Sequence, residues 1–365
     1  MPVARRKNSY IFAPEPQKRR GPGCLMLVLL LAAALSLLLV LINVSQNSRL
    51  TLKTQKVAAL NLNASFERFT LLHLSDLHAS PLGADKAAWR EALNGKRFDC
   101  VVMTGDMVGA TGNAEPMLAL IETLREINTT APIFFVAGDD DPPAIDGTLT
   151  DSAEPVAAWV QAAQKAGAVL LDVPCAVDAG KKRKVWLLPE YLYEMDAQDT
   201  LDTLTRQKLT MEEQGTNYET EGGAQYRALL KRLDAAQRCV EILPQIAQND
   251  LQIAVVHAPL DTDGIRRMLE WADTAQVVNF RALGLIMTGH YAGGQWRLPW
   301  GGALYVPDKG WMVPDAGLVG MQRVNSINQH ISGGLGASDF YPAIMRSRLF
   351  NPPEATLLTL TAKIE

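Results

Sequence analysis

Cysteine is scarce in this chain, four among 365 residues. Cys24, Cys100, Cys175 and Cys239 lie far apart and form no C-x-x-C pair, which excludes a zinc-ribbon signature and a disulfide framework. Three of them follow Cys24, so at most one bridge can form among those three, and burial as small apolar side chains is the expected fate. Basic charge is also missing once the first residues are passed. Residues 1–23 hold Arg5, Arg6, Lys7, Lys18, Arg19 and Arg20 against Glu15, a net +5, so a chain of net charge −4 carries −9 over its other 342 residues. Nucleic-acid binding needs clustered Lys and Arg, and no nucleic-acid partner is expected. Glycine (27) and proline (20) are neither enriched nor periodic, which excludes collagen-like and wholly disordered chains. There is no internal repeat.

A further absence is local. From Cys24 to Val44, 21 residues (CLMLVLLLAAALSLLLVLINV) pass without a charge. At about 1.5 Å rise per residue this run crosses a hydrocarbon core of about 30 Å. A cleaved signal peptide is the competing reading, but its apolar region runs to about 7–15 residues, and no small-x-small site follows Leu41, so an uncleaved anchor is expected. Basic residues crowd the near side, with only Arg49, Lys53 and Lys56 soon after the span. The positive-inside rule then puts the N-terminus in the cytoplasm and everything after Val44 outside the cell membrane. The expected organisation is a basic cytoplasmic tail (1–23), a transmembrane helix (24–44), a polar stalk and entry segment (45–65, most polar at 45–56) and an outer domain (66–365).

In the outer domain short apolar runs alternate with stretches of helical period, the pattern of an α/β domain. Strands are expected at 69–75, 99–105, 132–138, 184–189, 251–257, 283–289 and 355–360, and helices at 85–94, 114–127, 155–166 and 263–272. A polar, charge-rich segment at about 190–250 interrupts this rhythm. Its later part sets Leu229, Leu230, Leu233, Ala236, Val240 and Leu243 at helical spacing, a packing face. The stretch GTNYETEGG at 215–223 reads as an exposed, solvated loop, with a cap over a nearby cleft as the alternative.

Five of the expected strands run directly into Asp or His. They give Asp76-Leu77-His78, Gly105-Asp106, Gly138-Asp139-Asp140-Asp141, His257 and Gly289-His290. Any one Asp before a loop is adequately explained as a turn former. In an open α/β sheet, however, loops beyond the carboxyl ends of strands converge on one crevice. Three Asp oxygens with three His nitrogens suit divalent Mn, Fe or Zn better than Ca, which takes oxygen alone, or Cu(I), which takes sulfur. Gly105 and Gly138 let the backbone turn sharply and approach a ligand.

The order D-x-H, G-D, G-[ND]-x-[DE], H, G-H-x-x-G-G resembles the calcineurin-like metallophosphoesterases, particularly their membrane-associated bacterial branch. LLHLSDLHAS with VVMTGDMV is the closest local match, and TGHYAGGQWRLP and RLFNPPEATLLTL are similar to the late part of that branch, so the resemblance covers about residues 66–360. It implies a four-layer α/β sandwich with two central sheets and two divalent metals bridged by one Asp, here Asp106. Asp76 and His78 match the first-metal ligands, and Asp139, His257 and His290 those of the second. Such a pair clamps a phosphate ester and lowers the pKa of a water for in-line attack.

The chain departs from the family pattern at two positions. Gly138-Asp139-Asp140-Asp141 replaces G-N-H-[DE], and Gly289-His290-Tyr291-Ala292 replaces G-H-x-H. Asp139 keeps an oxygen ligand. Asp140 replaces the family's phosphate-facing His and is the candidate general acid if Asp139 and Asp141 raise its pKa. Ala292 ligates nothing, so the first metal loses an imidazole and its site is expected to be the weaker. His330 is the candidate substitute, although an ordinary loop histidine is the simpler reading, and His73, inside a strand, is expected to be a packed histidine. The basic run Lys181, Lys182, Arg183 and Lys184 reads as a solvated turn or as a contact for anionic lipid or envelope polymer. The expected function is a membrane-anchored phosphoesterase acting on a phosphorylated small molecule or lipid-linked substrate, with a catalytically impaired metal- or phosphate-binding module as the alternative.

Overall fold

The structure, a computed structural model, describes residues 22–47, 49–58, 66–149, 154–178, 183–193, 196–247, 250–266, 283–324, 327–339 and 341–362. It divides into two units, Met1–Ser45 and Gln46–Glu365. The first contains most of helix α1 (Pro22–Asn47), whose stretch Leu25–Asn47 has a mean hydropathy of 3.2 and is long and apolar enough to cross a membrane. Its leucines are exposed all round, and a helix apolar on every side is one that an apolar environment must cover.

The second unit is built on two six-stranded sheets. Sheet one comprises β1 (Thr51–Ala58), β2 (Thr70–Leu74), β3 (Cys100–Met103), β4 (Ile133–Phe135), β5 (Ala168–Leu170) and β14 (Glu354–Thr361), in the order β1-β14-β2-β3-β4-β5. Sheet two comprises β6 (Cys175–Asp178), β7 (Lys184–Pro189), β8 (Leu251–Val255), β9 (Leu283–Thr288), β12 (Gly320–Val324) and β13 (Ile327–Ile331), in the order β12-β13-β9-β8-β7-β6. A separate hairpin joins β10 (Ala303–Val306) to β11 (Gly310–Val313). Helices α2 (Lys86–Ala92), α3 (Glu115–Ile127) and α4 (Ala158–Lys165) follow the strands of sheet one, and α5 (Ala197–Glu213) and α6 (Gly223–Ile242) form the insertion between β7 and β8.

The period of two along each strand makes four layers. In β3, Val101 and Met103 pack with Trp89, Leu120 and Val160 under α2, α3 and α4, whereas Cys100 and Val102 face the other way. These meet Val185, Leu187, Ile253, Val255, Leu285 and Met287 of sheet two, which form the seam between the sheets. The alternate residues Trp186, Leu188, Ala254 and Ile286 pack against Cys239 and Leu243 of and beside α6. Each fully buried Leu, Ile, Val or Met removes apolar surface worth roughly 1.5–3 kcal/mol. Such strands, apolar on both faces, are what parallel sheets buried on both sides require.

All seven expected strands form. Three expected helices form as α2, α3 and α4. The fourth is helical at 262–266, and the remainder of 263–272 lies outside the described residues. The supposed stalk is corrected in part: Thr51–Ala58 pair in parallel with β14 along their whole length, and Lys53 Nζ lies 2.6 Å from Glu354 Oε2. As an edge strand, β1 keeps Lys53, Thr54 and Lys56 in solvent, which is why no apolar alternation marks it. The segment 215–223 is the turn of the α5–α6 helical hairpin, and Lys181 and Lys182 lie outside the described residues.

His73 of β2 and His330 of β13 meet in the seam, Nδ1 to Nδ1 at 2.8 Å, and His73 Nε2 reaches Thr104 Oγ1 at 3.0 Å. Both are buried, and burial holds His73 well below the ordinary histidine pKa and His330 at about 3. An unfolded histidine begins to take up a proton below about pH 6.5 while the folded pair does not, so stability falls as pH drops from there toward 3. His330→Gln should remove about 1.4 kcal/mol per pH unit of acid destabilisation in that window, read from urea midpoints of wild type and variant across pH 3.5–7.

Candidate metal centre

The C-terminal ends of β2, β3, β4, β8 and β9 face one crevice, and their loops deliver the acids and imidazoles named from the sequence. Asp106, Asp139, His257 and His290 offer ligand atoms all within 4.8 Å of one another, and Asp76, His78 and Asp106 form a second such group. Asp106 belongs to both. Its Oδ2 is 3.2 Å from His257 Nε2 and 3.8 Å from His78 Nε2, and its Oδ1 accepts the Asp140 backbone N–H at 2.8 Å. Asp139 Oδ1 lies 2.6 Å from His257 Nε2 and 3.3 Å from His290 Nδ1.

The backbone bends hard to do this. Asp76, His78, Asp106 and His290 all have φ between +45° and +77°, the left-handed region, which costs a side-chain-bearing residue of order 1–3 kcal/mol and persists where the surroundings over-determine it. Glycine is needed beside them. A Cβ on Gly105 would lie 2.5 Å from His257 Nδ1, and one on Gly138 would collide with Asp106 Oδ1. Asp141 ties the loops together: its carboxylate accepts from the N–H groups of Met107, Val108, Gly109 and Gly138 at 2.8–3.1 Å. It thereby locks the turn after β3 to the turn after β4.

The buried donors fit a cation. Both carboxylate oxygens of Asp76 lack a hydrogen-bond partner among the described residues, a costly state for buried polar atoms, and the buried His78 ring faces the Asp140 and Asp106 carboxylates at 3.2 and 3.8 Å. Burial, and then the adjacent Asp106 carboxylate, push Asp76 above the usual carboxylate range, and a cation would relieve both effects. His257 Nδ1 faces the carbonyl of Thr104 at 2.7 Å; a proton on Nδ1 leaves Nε2 to ligate, the usual way a ligating histidine is oriented. Without a cation the carboxylates hold the imidazoles protonated. Burial disfavours that charge on His290, but Asp139 and Asp308 outweigh it and raise its pKa to about 9. Burial likewise acts against the Asp139 carboxylate, and His257 and His290 outweigh it, drawing its pKa far down. Cation binding must therefore release protons.

Two expectations are corrected. His330 does not stand in for the missing imidazole: it sits on β13, not in a loop, and is paired with His73. Beside the buried Ala292, the space is taken by Gly334 and by Asn351, whose Nδ2 donates to the Ala292 carbonyl. Nor is the Asp140 pKa raised. Burial acts upward, but His78, 3.2 Å away, and Ser338, whose hydroxyl donates at 2.9 Å, outweigh it and hold Asp140 below its ordinary value.

Sequence reasoning missed three residues that shape the site. Asp308 Oδ2 lies 2.5 Å from His290 Nε2. Ser338 holds Asp140. The buried Arg348 guanidinium donates to the carbonyls of Gly333, Gly336 and Asn351, fixing a loop whose Gly336 N–H donates to Asp76 O at 2.6 Å. Asp308 and Ser338 have no local signal, since an Asp in a turn and a Ser in a Gly-rich loop are commonplace; Arg348 opens the RLFNPPEATLLTL segment noted for its family likeness, but nothing in that segment marks it as the group that holds the loop.

The family model for calcineurin-like phosphoesterases matches residues 69–293, well over half of the chain, and the chain belongs to that family. The match ends before the hairpin, Ser338 and Arg348. No curated protein matches the chain. Similar solved structures include the phosphopantetheinyl hydrolase of Mycobacterium tuberculosis (13% identity, 74% of this chain and 91% of that one, TM-score 0.35). A dimetal phosphatase from Danio rerio is also similar (13% identity, 73% and 88%, TM-score 0.33).

Asp141→Ala would leave four backbone N–H groups without their acceptor. We expect a loss of about 3 kcal/mol or more in folding free energy, measured by urea denaturation.

Proposed function

We propose that the chain is a membrane-anchored, metal-dependent phosphoesterase whose centre holds two divalent cations, drawn from Mn, Fe and Zn. The observation that carries this reading is one buried carboxylate, Asp106, shared by two ligand groups. Asp76, His78 and Asp106 would hold one cation and Asp106, Asp139, His257 and His290 the other. Such a pair, when bound, clamps the phosphate oxygens and lowers the pKa of a water for in-line attack.

The chain's own groups do the positioning. Asp106 is held by the Asp140 N–H, His257 is oriented by the Thr104 carbonyl, and His290 is braced by Asp308. The first group is poorer by one ligand because Ala292 ends in a methyl, so a cation there would depend on water or a substrate oxygen to complete its coordination. Asp140, held anionic by His78 and Ser338, favours a leaving group that departs without strong proton donation. The anchor reading of α1, with the N-terminus cytoplasmic and the catalytic domain outside, points to phosphorylated small molecules or lipid-linked phosphates near the cell membrane, because tethering raises the local concentration of such substrates.

The purified full chain should bind about two Mn ions, gain several degrees in melting temperature on loading and hydrolyse an aryl phosphate mono- or diester. Asp106→Asn should lower turnover more than about 100-fold and weaken both ions, whereas His290→Ala should weaken one. Metal analysis and chromogenic assays read both outcomes. A folded protein that turns over no phosphate ester with any divalent ion contradicts the enzyme reading.

A second reading, a catalytically impaired phosphate- or metal-binding module, is favoured by Asp140 and Ala292. Joint substitution Asp140→His with Ala292→His separates the two: activity that appears only in the variant supports the impaired module, and activity lost in it supports a site adapted to its own substrate.

A further inference from the structure

Large apolar side chains in the second unit are mostly buried, and four exceptions occur late in the chain. Trp300 is 77% exposed, Trp311 67%, Met312 58% and Ile344 78%. The first three belong to the β10–β11 hairpin and the turn that enters it. Regular alternation would send Trp311 and Met312 to opposite faces. Instead Met312 adopts φ +57°, and both side chains are exposed while Val313 is buried with Ala303, Val306 and Leu318. A left-handed Met is unfavourable, and its effect here is to place two adjacent apolar side chains in solvent. The Tyr305 ring packs against Trp311 at 4.9 Å between centroids and supports it.

The same hairpin touches the metal centre. Asp308, in its turn, contacts His290, and the Lys309 ammonium lies 4.8 Å from the centre of the Tyr291 ring. The exposed side chains and the cleft contacts thus sit on one hairpin.

The two Trp and one Met of the hairpin offer roughly 300–500 Å² of partly exposed surface, short of the approximately 800 Å² that each partner contributes to a stable protein interface. Trp, with an apolar body and one N–H, instead suits the boundary between headgroups and acyl chains. The chain supplies a bilayer of its own through α1. We propose that the 300–312 hairpin seats in the interfacial layer of a phospholipid bilayer, so that the metal centre works at the level of the headgroups. This rests on the anchor reading above and narrows the substrate to phosphates presented at a membrane surface.

Tryptophan fluorescence tests it without reference to activity. The chain has seven Trp, and α1 contains none. The full chain is reconstituted into phosphatidylcholine vesicles with or without bromine atoms near the headgroup end of the acyl chains. Brominated lipid should quench the wild type, and Trp300→Tyr with Trp311→Tyr should reduce that quenching at least about twofold, each single variant giving an intermediate value. Both positions are exposed, and circular dichroism checks that the variants fold. Absent quenching in protein that floats with the vesicles overturns the inference and leaves the anchor reading intact, as does quenching that the double variant retains in full. A dimer that shields the two Trp from brominated lipid also overturns it, in favour of a second copy as the partner. Protein that fails to float overturns the anchor reading and this inference together.

Discussion

Asp106 is a carboxylate with almost no access to water, and the rest of the site is arranged around the cost of keeping it there. A buried anion needs opposite charge and hydrogen bonds. It receives one backbone N–H from Asp140 and imidazoles on two sides, from His78 and His257. Those partners come from three different loops. The carboxylate can therefore be satisfied only when β2, β3, β4 and β8 end on the same side; parallel pairing secures this for β2, β3 and β4, and the packing of sheet two on sheet one brings in β8.

The loops themselves are strained, and the strain is balanced by tethers remote from the ligand atoms. Asp141 gathers four backbone donors, and Arg348 gathers the carbonyls of the loop that covers Asp76. Neither side chain belongs to the two ligand groups. The site is thus over-determined by hydrogen bonds to main chain, while both carboxylate oxygens of Asp76 stay buried and unpaired. A scaffold that holds unsatisfied oxygens in place beside imidazoles is what preorganised cation binding requires.

Much of this was legible in order of residues. The strand-end acids and imidazoles were readable because parallel strands must deliver their C-terminal loops to one side, and Asp76, His78, Asp106, Asp139, His257 and His290 do converge. His73 was readable as packed because it alternates with residues of a buried strand. His330 was misread because a strand of Asn, Gln and His carries no apolar period, although pairing with β9 and β12 places it in the seam. Strand β1 was hidden for a related reason, since an edge strand with Lys and Thr outward looks like a polar linker. The condition set for Asp140 as a general acid, a pKa raised by its acidic neighbours in sequence, is not met, because His78 and Ser338 approach from 62 and 198 residues away and outweigh them.

The sequence by itself determined the apolar helix, the alternation that makes four layers, the family and the six side chains at strand ends, because each is a matter of local period or local residue type. Only the tertiary structure decided that Asp106 is shared, that Ala292 has no imidazole in its place, that Asp308, Ser338 and Arg348 complete the cleft and that Trp311 and Met312 both face outward. Those outcomes depend on distances between segments far apart in the chain and on backbone angles such as that of Met312, and neither is encoded in the neighbouring residues alone.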